Sequence, residues 1–141
     1  MSLFGPAPDE HRAARGLELV RIATAILILI HGAFRALNEG YVPGFGEWLE
    51  TQGFPHGLYW AWAVTIYELI APLFILARRF VSLACLGHIL ILSLGAYLVH
   101  FPSGWFVVGA GRNGMEYSVL LIVALLATAF AYAPARRKVA A

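Results

Sequence analysis

Four long apolar stretches, separated by short polar or glycine- and proline-containing segments, dominate the pattern of this chain. The stretches cover residues 17–36, 58–77, 80–99 and 114–133. A helix of about 20 residues spans roughly 30 Å, which is the thickness of the hydrocarbon core of a bilayer. The pattern therefore predicts an all-α membrane protein, a bundle of four antiparallel transmembrane helices joined by short connections.

Polar positions in the first stretch fall on one side of the predicted helix. They follow one another at steps of three and four residues, which keeps them on one face. This face consists of Arg21, Thr24, Ile28, His31 and Arg35. The opposite face is aliphatic, so we expect the polar face to point into the bundle and the aliphatic face to contact lipid.

Glu68 is the one carboxylate in the second stretch and lies close to its middle. An unpartnered charge near the midplane of a bilayer costs at least a few kcal/mol. Pro72 follows four residues later and has no N–H, so the carbonyl of residue 68 also loses its helical hydrogen-bond partner. A midplane carboxylate beside a proline favours a ligand or proton site over a purely structural role.

The connections between the four stretches differ in composition. Residues 38–57 contain glycines, prolines and aromatic side chains, and 46–52 within them are predicted to form a short helix on the membrane surface. Arg78 and Arg79 alone join the second stretch to the third, which predicts a tight helical hairpin. Residues 100–113 are too apolar for an exposed loop, and we expect them to cap the bundle.

The composition places the chain in the membrane class. Of its 141 residues, 60% are hydrophobic and 13% are charged, whereas soluble domains contain about 25% charged residues. The formal net charge of +2 says little about partners, because its placement matters more than its sum. No nucleic-acid partner is expected. Residues 17–133 are predicted to form one membrane domain, after a loose N-terminal tail over 1–16 and before a basic tail over 134–141.

Basic residues are concentrated on one side of the predicted bundle. They are Arg12, Arg15, Arg78, Arg79, Arg136, Arg137 and Lys138, whereas residues 38–57 contain neither Lys nor Arg. The positive-inside rule therefore predicts that both termini are cytoplasmic. The predicted location is a bacterial cytoplasmic (inner) membrane.

Residue counts from the Arg78–Arg79 turn predict the depth of each polar group. Glu68 and His88 lie at nearly equal distances from the turn, so at ~1.5 Å per residue we expect them to meet near the midplane in a hydrogen bond. Arg35 and Glu116 lie at a similar outer level, which predicts an ion pair between them. The candidate quinone or polar-network site consists of Glu68, His88, His31, Arg35, Glu116 and Tyr117.

The candidate site has a structural as well as a functional interpretation. Buried polar networks can simply fix how small helices pack, and this explains the predicted Arg35–Glu116 pair equally well. The histidines at positions 31, 88 and 100 differ in depth, which disfavours haem held by two of them. No metal site is predicted.

The order of these features resembles the DoxX family of small four-helix membrane proteins. The resemblance covers residues 17–133. It rests on Arg21 with His31-Gly32 and Arg35, on Gly53-Phe54-Pro55, Glu68, Arg78-Arg79 and His88, and on Asn113-Gly114-Met115-Glu116-Tyr117. Two features depart from the family pattern: Arg35 stands where many relatives have Lys, and Ala71-Pro72 stands where glycines are common. The resemblance implies a four-helix fold in a family that includes subunits of thiosulfate:quinone oxidoreductase, members linked to oxidative-stress complexes, and distant chaperones or cargo receptors.

Two functions from different classes agree with these features. The first is an accessory or structural subunit of a larger redox or energy-converting membrane complex, favoured by the near-absence of mass outside the membrane. The alternative is a quinone-binding subunit of an oxidoreductase, in which Glu68 and His88 would exchange protons. No intrinsic cofactor is predicted, because motifs for haem, iron–sulfur clusters and nucleotides are missing from the sequence, so catalysis by this chain alone is not expected. Chaperone activity or passive transport of a small solute is a weaker third interpretation.

Overall fold

The computed structural model describes residues 9–134, and these residues fold into helices joined by short connections. Five α-helices follow one another: α1 (Glu10–Leu37), α2 (Tyr41–Thr51), α3 (Gly57–Leu76), α4 (Val81–Gly95) and α5 (Glu116–Ala131). A π-helical turn, Ala96–His100, and a 3-10 turn, Phe101–Ser103, extend α4. Three helical segments are long and apolar enough to cross a membrane, namely Glu10–Leu37, Gly57–Leu76 and Val81–Ser103, and α5 is a shorter apolar helix.

Helix α1 begins earlier than the apolar pattern predicts. Asp9 is its N-cap, and the Asp9 carboxylate accepts a hydrogen bond of 3.0 Å from the backbone N–H of Arg12. Glu10 adds a second negative charge to the first turn, where it interacts favourably with the helix dipole. The expectation of a loose tail is therefore wrong for residues 10–15. Residues 1–8 and the basic residues 136–138 lie outside the described part of the chain.

Helix α2 confirms the predicted short helix in the first connection, although it starts at Tyr41. Pro43 lies in its first turn, where a missing backbone N–H disrupts no helical hydrogen bond. Val42 and Leu49 of α2 form a small core with Ala61 of α3. Gly46 lies so close to α3 that a Cβ added to it would be 2.8 Å from the Leu58 Cα.

The main core lies at one end of the bundle, which we call the closed end, beside the connection between α3 and α4. Its members come from α1, α3, α4 and α5: Ala25, Ile28, Ala71, Ile75, Val81, Ala84, Cys85, Leu125 and Ala129. Ser82 donates a hydrogen bond of 2.9 Å to the Ala129 carbonyl, which ties α4 to α5. The opposite end, which carries α2 and residues 101–115, is the open end.

A polar cluster around Glu18 joins the helices at the closed end. The Glu18 carboxylate contacts Arg21 at 2.7 Å and Arg78 at 2.8 Å, and it also accepts a hydrogen bond from the Tyr132 hydroxyl. Arg21 is 3% exposed and also donates to the Ile75 and Leu76 carbonyls.

Large apolar side chains cover the outer surface of the described helices. Leu19 on α1, Leu83 on α4 and Phe130 on α5 are all strongly exposed. Soluble proteins rarely expose continuous apolar surface of this extent, so the surface requires the lipid bilayer. The helices therefore define a multi-pass membrane protein.

Candidate functional site

A cavity of about 990 Å³ lies at the open end of the bundle. Residues from all five α-helices line it, and most of the lining side chains are aliphatic or aromatic. The cavity exists because the core that joins α1, α3, α4 and α5 is confined to the closed end. Towards the open end the same helices enclose space instead of packed side chains.

An ion pair between Arg35 and Glu68 lies in the wall of this cavity. The distance from Arg35 Nη1 to Glu68 Oε2 is 2.9 Å, and the two side chains are 13% and 8% exposed. The prediction that Arg35 pairs with Glu116 is therefore wrong. Gly32 makes the observed pair possible, because a Cβ at this position would lie 2.8 Å from the Glu68 Cβ, so α1 and α3 touch at the backbone.

The direction of helical side chains explains this difference. Side chains lean towards the N-terminus of their own helix. Helix α1 runs towards the open end and α3 runs away from it. The Arg35 side chain therefore leans towards the closed end and the Glu68 side chain towards the open end, so the two meet. The prediction from residue counts compared only the depths of the Cα atoms. It therefore placed Glu68 near the midplane and Arg35 at an outer level.

Thr65 and Phe45 hold the Arg35 guanidinium in place. The Thr65 hydroxyl lies 3.3 Å from Arg35 Nη1 and donates a hydrogen bond of 2.7 Å to the Ala61 carbonyl. The Arg35 Cζ lies 4.8 Å from the centroid of the Phe45 ring, within range of a cation–π interaction. The sequence analysis missed both residues, although Thr65 is a polar side chain one turn before Glu68 in an apolar helix.

Among the described residues, His88 is a buried polar group without a hydrogen-bond partner at its Nε2. It is 1% exposed, and its Nε2 makes no hydrogen bond to any described residue. The expected hydrogen bond between Glu68 and His88 is therefore wrong. Although the two Cα atoms lie at similar depth, Glu68 leans to the open end and His88 leans to the closed end, since α4 is antiparallel to α3.

Tyr67 supports the His88 ring from the side. The two rings meet edge to face with their centroids 4.9 Å apart. The Tyr67 hydroxyl donates a hydrogen bond of 3.1 Å to the Ala84 carbonyl and occupies the space above Gly87, where a Cβ would lie 2.0 Å from it. Tyr67 and Gly87 thus fix the orientation of a histidine that lines the cavity.

Five of the six candidate residues line this one cavity: Glu68, His88, His31, Arg35 and Tyr117. Glu116 does not, because its carboxylate accepts a hydrogen bond of 2.9 Å from the Val107 N–H and so fastens the segment before α5. His100 lies at the rim, with its Nδ1 2.7 Å from the Asn113 carbonyl. Within residues 9–134, no three His, Cys, Asp or Glu side chains are grouped to hold a metal ion.

A membrane-embedded helical bundle with a polar cluster in a cavity at its open end defines the class of this protein. The model of the DoxX family matches residues 16–101, so the chain belongs to the DoxX family and the predicted resemblance is confirmed. The match includes Arg35, Glu68 and His88 and ends before α5, so the 113–117 fragment lies outside it. Comparisons with curated proteins and with solved structures give no match.

Proposed function

We propose that this DoxX-family protein binds a quinone in the open-end cavity, as the membrane subunit of an oxidoreductase. The observation that carries the proposal is that His88, whose buried Nε2 has no hydrogen-bond partner among the described residues, lines a largely apolar cavity. An unsatisfied buried polar atom costs about 1–3 kcal/mol. A ligand that hydrogen-bonds this atom would remove that cost.

A quinone has the chemistry that the cavity walls require. Its ring and isoprenoid tail need an apolar slot, and its carbonyl oxygens need hydrogen-bond donors. The His88 ring would serve one carbonyl, and Arg35 would serve the other, since both of its hydrogen bonds to described side chains use Nη1 and leave Nε and Nη2. The volume of about 990 Å³ lies within the range of cavities that bind small molecules, roughly 300–1,000 Å³.

The titratable groups of the cavity would handle the protons of the reaction. Reduction of a quinone to the quinol takes up two electrons and two protons. The electrons would come from a partner subunit that carries a redox cofactor, while Glu68 and His88 would take up protons and pass them to the ring oxygens. In this scheme His31 and Tyr117, which line the same cavity, relay protons to the site.

The orientation in the membrane is part of the same proposal. We propose that α5 is a fourth span and that both termini lie in the cytoplasm of a bacterial inner membrane. Arg12, Arg15, Arg78 and Arg79 all lie towards the closed end, which supports a cytoplasmic closed end by the positive-inside rule. The open end and its cavity would then face the other side.

A structural accessory role is the second candidate, and the Arg35–Glu68 pair favours it. This pair ties α1 to α3 without any ligand. We expect Glu68→Gln to separate the two functions, because glutamine keeps an acceptor oxygen for Arg35 but cannot carry a proton. A quinone site would assemble with its partner subunits and lose turnover, measured as quinone reduction by purified membranes. Unchanged turnover in an intact complex would favour the structural role.

Replacement of His88 tests the binding site directly. We expect His88→Leu to weaken binding of a short-chain ubiquinone by about tenfold or more, because the quinone carbonyl loses its donor. His88→Gln places an amide N–H near the position of Nε2 and should retain most of the affinity. Quenching of tryptophan fluorescence reports binding, since Trp48 and Trp60 line the cavity.

The stability of the same variants separates a binding effect from unfolding. Leucine replaces an unpartnered polar ring with apolar surface, so the melting temperature of His88→Leu should equal or exceed that of the parent. Equal quinone affinity in the parent and in His88→Leu would refute the proposed site.

A further inference from the structure

The main core of the bundle lies between the cavity and the α3–α4 connection. Ala25, Cys85 and Leu125 are almost completely buried there, in contact with neighbours from four helices. A second, smaller cavity of about 280 Å³ lies beside the α3–α4 connection and shares no lining residue with the first. The two spaces are therefore not continuous.

Polar contacts at the closed end also hold these helices together. Glu18 connects α1 with Arg78 of the α3–α4 connection and with Tyr132 after α5. The buried Arg21 side chain donates to two carbonyls at the end of α3. Separating the helices at this end would break the hydrogen bonds of Arg21 to the α3 carbonyls and the contacts of Glu18 with Arg78 and Tyr132.

The open end has the opposite character. Glu39 and His100 lie among the residues at the rim of the cavity, and Glu39 is exposed. From this rim inwards, titratable or charged groups of every helix around Glu68 share the cavity. They are His31 and Arg35 of α1, His88 of α4 and Tyr117 of α5.

We propose that the cavity is a one-sided vestibule, in which water and protons reach Glu68 and His88 from the open end only. Any ligand protonated or deprotonated in the cavity would then exchange its protons with the aqueous phase at that end. The statement that a bound quinone uses these protons rests on the quinone-binding function proposed above. The direction of access depends on packing alone and is tested without a ligand.

Two substitutions on α5 provide a matched test. Ser118 and Thr128 are both buried, at 6% and 1% exposure, but only Ser118 lines the cavity. Ser118→Cys and Thr128→Cys are made in a Cys85→Ala background and treated with a charged, membrane-impermeant methanethiosulfonate. Glu47→Cys on the exposed face of α2 identifies the open-end side in right-side-out and inside-out vesicles.

We expect Ser118→Cys to react from the side that labels Glu47→Cys and not from the other. Thr128→Cys should react at least about 100-fold more slowly from either side, because its thiol is reached only when the core opens at a cost of several kcal/mol. Val64→Cys, in the cavity wall on α3, replaces Ser118→Cys if that variant does not fold.

Three results would overturn the proposal. These are labelling of Ser118→Cys from the closed-end side, equal rates for the two α5 positions, and no labelling of Ser118→Cys from either side. None of them bears on quinone affinity, so failure of the vestibule and failure of the quinone site are distinguished.

Discussion

Arg35→Met is expected to lower the free energy of unfolding by about 3–5 kcal/mol, because it leaves the Glu68 carboxylate buried without its partner. The 2.9 Å ion pair links α1 to α3 in the wall of the cavity, whereas the Arg21 hydrogen bonds link them at the closed end. The variant also removes the contacts of the guanidinium with Thr65 and with the Phe45 ring. Denaturation in detergent micelles, followed by helical circular dichroism, measures the change.

A double variant and a conservative one isolate the contribution of charge. Arg35→Met combined with Glu68→Leu should regain most of the lost stability, since no buried charge remains. Arg35→Lys keeps the charge but loses the planar guanidinium that lies over the Phe45 ring, so an intermediate loss is expected. If the double variant is as unstable as Arg35→Met alone, the stability of this wall does not depend on the ion pair.

Gly46→Ala is expected to destabilise the protein by about 1–3 kcal/mol through overpacking. The added Cβ would lie 2.8 Å from the Leu58 Cα and 2.9 Å from its nitrogen. Both are backbone atoms of the first turn of α3, so relief requires α2 to move away from α3 as a unit. The melting temperature in detergent measures the change.

Gly44→Ala is the matched control, two residues earlier in the same helix. A Cβ at Gly44 meets nothing within 4 Å. This variant should therefore gain about 0.5–1 kcal/mol from the lower backbone entropy of the unfolded chain. Equal melting temperatures for the two variants would contradict the close α2–α3 contact.

The α2 contact also matters for the cavity. Phe45 and Trp48 of α2 both line it, and Phe45 lies against the Arg35 guanidinium. Displacement of α2 in Gly46→Ala would therefore change the cavity wall, whereas Gly44→Ala would leave α2 in place. The close approach of two backbones thus determines the shape of the candidate site.

The sequence determined the membrane class and the helices, and five of its six candidate residues line the cavity, whereas Glu116 does not. Helix periodicity placed Arg35 and His31 on one face of α1, and the isolated carboxylate marked Glu68. The family match includes these positions. Such features are local, because they depend on spacing along one helix and on the cost of charge in lipid.

Only the tertiary structure decided which polar groups meet. Arg35 pairs with Glu68, the Nε2 of His88 has no partner within residues 9–134, and Glu116 accepts a hydrogen bond from the connecting segment before α5. The physical reason is that antiparallel helices lean their side chains in opposite directions, while glycine contacts set the helix separation. Residue counts along each helix carry neither the rotation of its axis nor these directions, so the cavity and its unpaired histidine nitrogen emerge only from the packed bundle.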